Sequence, residues 1–391
     1  MTHSRGLDVR PGRIHSLDGL RGLAATVVLL HHALLVFPSL AAPYFNGETT
    51  RWSAAWWFVN TPMHLFWEGT AAVYVFFILS GVVLAVPVYA ASGTFDWKAF
   101  YPQRLLRLYV PVWGAVLFAV GTFLIVPRNP LMESAWLQAM PSQITPDRVF
   151  KDLTLIMGNG WLASPLWSLR WEILFSVLLP LFIWAAYLVR RHTFLAIGGC
   201  LVVIGIGGFV NQDVLRFMPM FAIGVLLLPI VSSPREATRA LASQPRHAGW
   251  ISTLALGLLL MILPWLAPIL KTSSAGAGLL IGLAAGGSSL VVICAATYPP
   301  VKRFLTYPLL LWLGRISFSL YLVHEPIVIT TAHLFGPGNE YIAVPVGIMA
   351  SLAVAALFFR FVEQPSYKLA KASVRVLSRS TKTFGSTRST A

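Results

Sequence analysis

Ser16–His32 reads S-L-D-G-L-R-G-L-A-A-T-V-V-L-L-H-H, the start of a run apolar and long enough to cross a bilayer, yet it carries Arg21 and His32. A cationic and a titratable side chain are expensive inside hydrocarbon, so such residues are functional candidates by default. On a helix the interval from Arg21 to His32 spans about three turns, roughly 16 Å, and returns to nearly the same azimuth. Both side chains are therefore expected to project into one interior groove at different depths. Arg21 is near enough to an end to snorkel to the interface, whereas His32 reads as too deep for that.

Working outward, the chain has 391 residues, of which 57% are hydrophobic and 11% charged, with a mean hydropathy of +0.72. That composition excludes a soluble globular domain, where about 25% of residues are charged. Stretches of about 20 apolar residues, the length a membrane helix needs, recur at 17–38, 69–90, 105–126, 166–189, 193–210, 214–231, 250–268, 276–297, 309–334 and 341–363. The expected fold is all-α, a polytopic integral membrane protein with about ten transmembrane helices. Lys and Arg accumulate on the cytoplasmic side of such proteins. With the N-terminus inside, 19 of the 29 fall in cytoplasmic segments, 6 face outward, and Arg21, Arg170, Arg315 and Arg360 lie within spans. Both termini are expected to be cytoplasmic and the protein to reside in the cell membrane.

Three regions follow: a cytoplasmic N-terminal segment at 1–16, a transmembrane domain at 17–365, and a basic, Ser/Thr-rich tail at 366–391 too poor in apolar residues for a core. The tail is expected to be disordered and to skim the inner leaflet. The formal net charge of +15 is spread over short loops beside membrane helices. Anionic lipid headgroups explain it better than a nucleic-acid partner. Cys200 and Cys294 fall within spans, so neither a disulfide framework nor a metal site is indicated. Ser39 and Ala41 make the small-x-small pattern of a cleavage site, but the first apolar core exceeds the roughly 7–15 residues of a signal peptide. A retained signal anchor is expected.

Polar clusters interrupt the apolar runs, each with a bland reading beside a functional one. Ser80 and Gly81 in V-Y-V-F-F-I-L-S-G read as a small-residue packing notch, and the Gly-rich stretch 275–289 as a close-packing surface. Arg104 and Arg107 in Y-P-Q-R-L-L-R-L-Y-V-P stand one helical turn apart at the inner face. They are either positive-inside anchors or a guanidinium fork for phosphate. Glu172 in P-L-W-S-L-R-W-E belongs to a polar acceptor pocket or is a carboxylate favoured by a helix N-terminus. Arg315, Ser317, Tyr321 and His324 enter one helix together, and Tyr321 and His324 share a face. Arg360 and Glu363 are expected to pair at the cytoplasmic interface. Trp52, Trp56, Trp57 and Trp67 in the long segment 39–68 form either an interfacial belt or a sugar-stacking surface.

Taken in order, these pieces resemble the membrane-bound acyltransferase 3 family, which acylates sugar hydroxyls on envelope polysaccharides, lipids and some secondary metabolites. The matching pieces are L-D-G-L-R-G-L-A-A with Arg21 and, after ten intervening residues, His32, F-F-I-L-S-G at 76–81, R-L-L-R at 104–107, W-S-L-x-x-E at 167–172, S-x-x-x-Y-L-x-H at 317–324 and F-V-E-Q-P at 361–365. They cover nearly the whole chain, and the spacing selects His32 over His31. The chain differs from the family pattern at Ala72, Tyr74, Arg170 and Glu325, positions that bear on the acceptor. The esterase-like domain fused to some members is not seen, so transfer is expected to finish within the membrane domain.

The resemblance implies a cytosolic acyl-coenzyme A donor, acetyl-CoA by family frequency, as co-substrate. It implies Arg104 and Arg107 as phosphate contacts, with the acyl-pantetheine arm entering beside Arg21. His32 is then the expected general base on the acceptor hydroxyl, and Tyr321, His324 and Glu172 orient the acceptor or stabilise the oxyanion. The acceptor is a carbohydrate, a glycolipid or a secreted small molecule. The competing class is a transporter or flippase for a polar lipid or sugar, which would use the same spans and buried charges but is often built from repeats not visible here.

Overall fold

The computed structural model describes residues 14–373 apart from 46, 92, 156, 233–246 and 267–273. The N-terminal segment as far as residue 13, the tail from residue 374, and Arg235, Arg239, Arg246 and Lys271 of the charge reading lie outside the described residues. Among the described residues every regular element is helical. Ten helices follow the ten apolar stretches: α1 His15–Leu34, α2 Gly69–Ala90, α3 Trp97–Ile125, α4 Leu166–Leu188, α5 Thr193–Phe209, α6 Asp213–Ser232, α7 His247–Leu266, α8 Ser274–Thr297, α9 Pro308–Phe335 and α10 Glu340–Phe358. Seven are long and apolar enough to cross a membrane. Helix α1 is bent by 113° from the short segment Pro38–Phe45, and α9 by 67° from Pro299–Leu305, while α5 is a shorter apolar helix.

The first of these bends changes the sequence reading. The span taken to continue to residue 38 ends as a helix at Leu34, and Pro38, which fits only the first turn of a helix, opens the next segment. His32 is thus two residues from a helix end rather than deep in a span.

Helix starts obey local rules. Ser53, Thr61, Glu68, Asp96 and Thr145 each accept a backbone N–H in the first turn that follows, satisfying donors that a helix leaves open. After α10 the chain widens into a π-helical turn, Phe359–Glu363.

The chain divides into two compact units. One contains the residues up to Gly93, Glu133–Ala139 and Leu178–Ser317. Its helices pack backbone to backbone through glycines. A Cβ on Gly19 would stand 1.8 Å from the Leu305 carbonyl oxygen, and one on Gly22 2.4 Å from Gly314 N. Gly81 of α2 and Gly224 of α6 meet in the same way, each within 2.8 Å of the other's Cα for an added Cβ, so the notch at Ser80–Gly81 is a packing surface. Gly208 and Gly278 bring α5 against α8, and Gly257 and Gly287 bring α7 against it, as the Gly-rich stretch 275–289 suggested.

The second unit contains Thr94–Met132, Met140–Val177 and the residues from Phe318 onward. Here the connection after α3 folds back along that helix: Tyr109 donates to Thr154 O at 2.8 Å, and Trp113 Nε1 to Leu153 O at 3.1 Å. Asp152, fully buried, accepts the Gly160 and Leu162 N–H groups at 2.6 and 3.0 Å. Ser164 donates both its backbone N–H and its hydroxyl to buried Glu325 of α9.

Candidate active site

In the first unit, His32 and His31 end α1 with their rings 5.1 Å apart and nearly perpendicular. His32 Nδ1 lies 3.1 Å from Val28 O. A carbonyl only accepts, so Nδ1 carries the proton and the neutral ring keeps its lone pair at Nε2. His31 Nδ1 is held the same way by Trp67 O at 3.0 Å. The His31 ring sits against Gly69, where a Cβ would come within 2.7 Å of it. Trp136 stacks obliquely beside His32 at 5.7 Å. Arg21, half-buried, makes no hydrogen bond or ion pair among the described residues.

A neighbouring cluster was not singled out in the sequence. His64 Nε2 donates to Glu68 Oε2 at 2.7 Å, and both residues are buried. Glu68 Oε1 accepts Ala71 N–H and so caps α2. Trp265 lies parallel on His64 at 4.4 Å, with Tyr44 4.2 Å away. His64 and Glu68 are four apart, a helical spacing that was legible, but they sit in a segment read as a connection. Trp67 also leaves the surface group: it is fully buried and donates to Phe58 O. Trp52, Trp56 and Trp57 remain as a contiguous aromatic cluster, with Trp52 and Trp57 exposed.

In the second unit, Arg104 and Glu172 form an ion pair, and Arg104 Nε also donates to Ser176 Oγ at 3.2 Å. Glu172 is therefore more than a carboxylate favoured by a helix N-terminus. Arg107 is exposed and lays its guanidinium over the Tyr367 ring at 4.5 Å. Tyr321 donates to Pro165 O at 3.0 Å, and its oxygen is 2.7 Å from Ser168 Oγ. These bonds fasten the start of α4. His324, fully buried, donates Nδ1–H to Leu320 O at 2.8 Å, which again leaves Nε2 as the basic nitrogen of the neutral ring. The pair expected between Arg360 and Glu363 is replaced. The Glu363 carboxylate is buried and accepts the hydroxyls of Ser319 and Tyr367, whereas Arg360 is exposed with its guanidinium over Phe361. The π-helical turn accounts for the difference, because it breaks the register that would bring the two residues together.

Among the described residues no group of three or more His, Cys, Asp or Glu side chains could hold a metal ion. Seven or more membrane-length helices with no strand among the described residues, buried histidines and a partly buried ion pair have the make-up of a multi-pass membrane protein. The chain belongs to the Acyltransferase domain family Acyl_transf_3, whose pattern matches residues 14–360, and it is an acyltransferase. It is 27% identical to "O-acetyltransferase PaAT-1" of Phomopsis amygdali, over 82% of this chain and 73% of that protein. It is 24% identical to "Acyltransferase MdmB" of Streptomyces mycarofaciens, over 91% and 92%. A third relative, "Putative peptidoglycan O-acetyltransferase YrhL" of Bacillus subtilis (strain 168), is 22% identical over 90% of this chain, which spans about half (54%) of its length. No solved structure matches. All three relatives are named as acyltransferases, so the transporter reading is not favoured.

Proposed function

We propose that the protein transfers an acyl group, acetyl by default, from cytosolic acyl-CoA to a hydroxyl of a carbohydrate, glycolipid or secreted small molecule, with His32 as general base. The observation that carries this reading is the His32 Nδ1–Val28 O bond, which leaves Nε2 as the nitrogen able to take a proton. The acceptor O–H gives its proton to Nε2 as its oxygen attacks the thioester carbonyl. The C–S bond then breaks, and the coenzyme A thiolate leaves and takes that proton from the imidazolium. A positioned base of this kind contributes about 10²–10⁴-fold.

Arg107, exposed and held flat by Tyr367, meets the coenzyme A phosphates together with Arg104. Arg21 lies along the acyl-pantetheine arm, an assignment supported by the lack of a competing partner among the described residues. Glu172, Tyr321 and His324 orient the acceptor or stabilise the oxyanion. The protein sits in the cell membrane with ten spans and both termini cytoplasmic, its basic loops against anionic lipids.

Mass spectrometry of envelope glycans, extracted glycolipids and secreted metabolites, from cells with and without the protein, tests this. A base-labile mass increment present only with the protein identifies acyl group and acceptor. Identical profiles, with an unmodified lipid or sugar accumulating on one side of the membrane in the deletion, would contradict it.

A further inference from the structure

A cavity of about 540 Å³ opens within the first unit between the N-terminal end of α2, the α5–α6 connection, α7 and α8. Its size falls in the roughly 300–1,000 Å³ range of small-molecule sites. Its polar lining is convergent. The Tyr74 side chain reaches it, and its hydroxyl has no hydrogen-bond partner among the described residues. Arg216 is fixed by Asn211 Oδ1 at 2.6 Å and Asp213 at 3.3 Å, while its Nε is buried with no partner. Glu68 uses each carboxylate oxygen once, for Ala71 N and His64 Nε2, which leaves each oxygen a further lone pair. Trp265 supplies an apolar wall.

We propose that this cavity binds a neutral, hydroxyl-rich ring, the sugar-like part of the acceptor; the word acceptor rests on the function proposed above. An apolar ligand would cover the Tyr74 hydroxyl without pairing it, which costs about 1–3 kcal/mol. An anion gains little, because the Arg216 charge is already matched by Asp213 and Glu68 adds a carboxylate to the wall. Sugar hydroxyls both donate and accept, so one ring meets the tyrosine hydroxyl, the glutamate carboxylate and the accessible edge of the Arg216 guanidinium together. The cavity is also coupled to the chemistry. The turn of α2 that carries Glu68 also carries Gly69, the seat of the His31 ring, and His31 lies edge-on to His32. Binding energy from a part of the substrate remote from the reacting hydroxyl is thus available to position it.

The test uses the full chain in phospholipid nanodiscs with Cys200 and Cys294 replaced by Ala and a single reporter, Thr70→Cys, at the exposed edge of the cavity. Its modification by a water-soluble thiol reagent is timed with methyl glucoside, methyl galactoside or methyl N-acetylglucosaminide, and with inorganic phosphate or cyclohexanol. At twice its Kd a glycoside should slow the reaction about threefold by mass action. Tyr74→Phe and Arg216→Gln should each abolish the protection, with unprotected rates unchanged as a check on folding. His32→Ala should retain it, so the cavity reading survives even if His32 proves not to be the base. Protection by phosphate or cyclohexanol, or by no glycoside at all, overturns the proposal.

Discussion

His32 and Arg107 show how a side chain's partner decides its chemistry. The Val28 carbonyl selects the His32 tautomer, and the Tyr367 ring selects the plane in which Arg107 is offered. Lysine is a point charge that neither stacks flat nor forms a two-pronged bond to phosphate. Arg107→Lys should therefore raise KM for acyl-CoA by about tenfold, equivalent to ~1.4 kcal/mol, with kcat little changed. Unchanged KM in a radiometric transfer assay would remove Arg107 from the donor site. At this scale the sequence was readable where a polar residue interrupts an apolar run, which is how Arg21, His32, Tyr321 and His324 stood out. It was unreadable at Asp152 and Ser164, and only the spacing of His64 and Glu68 gave a signal, because a polar residue in a connecting segment has no apolar run to interrupt.

The helices are placed by what their surfaces lack. Gly22 has no Cβ where Gly314 N and Leu310 O would collide with one, at 2.4 and 2.7 Å. Gly22→Ala should destabilise the solubilised protein by about 1–3 kcal/mol, as overpacking does. Thermal unfolding of the variant in detergent measures this, and an unchanged Tm would show that α1 can move away without cost. The glycines of L-D-G-L-R-G-L thus belong to packing, although they share a motif with Arg21.

The connection Pro146–Thr154 and the turn behind it hang on Asp152. Burial pushes its carboxyl up to about 6, although the backbone N–H groups of Gly160 and Leu162 favour the charged form. The folded state therefore binds the proton more tightly than the unfolded chain, whose carboxyl titrates near 3.8. The stability from this group is present below about pH 4 and is lost as the pH rises through about 6. Asp152→Asn should flatten that part of the pH profile of Tm; a variant profile parallel to the wild type's would exclude Asp152 as its source. Length and apolarity made the helices legible in the sequence. The bend after Leu34 and the π-helical turn were not, since each depends on how a helix end is met by its surroundings.

Over the whole molecule, the excess of Lys and Arg in alternate connecting segments supports the proposed topology, with both termini cytoplasmic. A fluorescent protein that matures only in the cytoplasm, fused after Ala391, should fluoresce; a dark but full-length fusion would invert the topology and the side on which each substrate enters. The acceptor was not legible at any scale, because the cavity proposed to take it is lined by five helices far apart in sequence. The central claim is the role of His32. Membranes carrying the wild type or His32→Ala, inserted in equal amounts, are supplied with [acetyl-¹⁴C]acetyl-CoA, and base-labile label in extracted lipid, glycan and soluble product is counted. Loss of a general base lowers the signal by about 10²–10⁴-fold; transfer by His32→Ala at more than a few per cent of the wild-type rate would contradict the account.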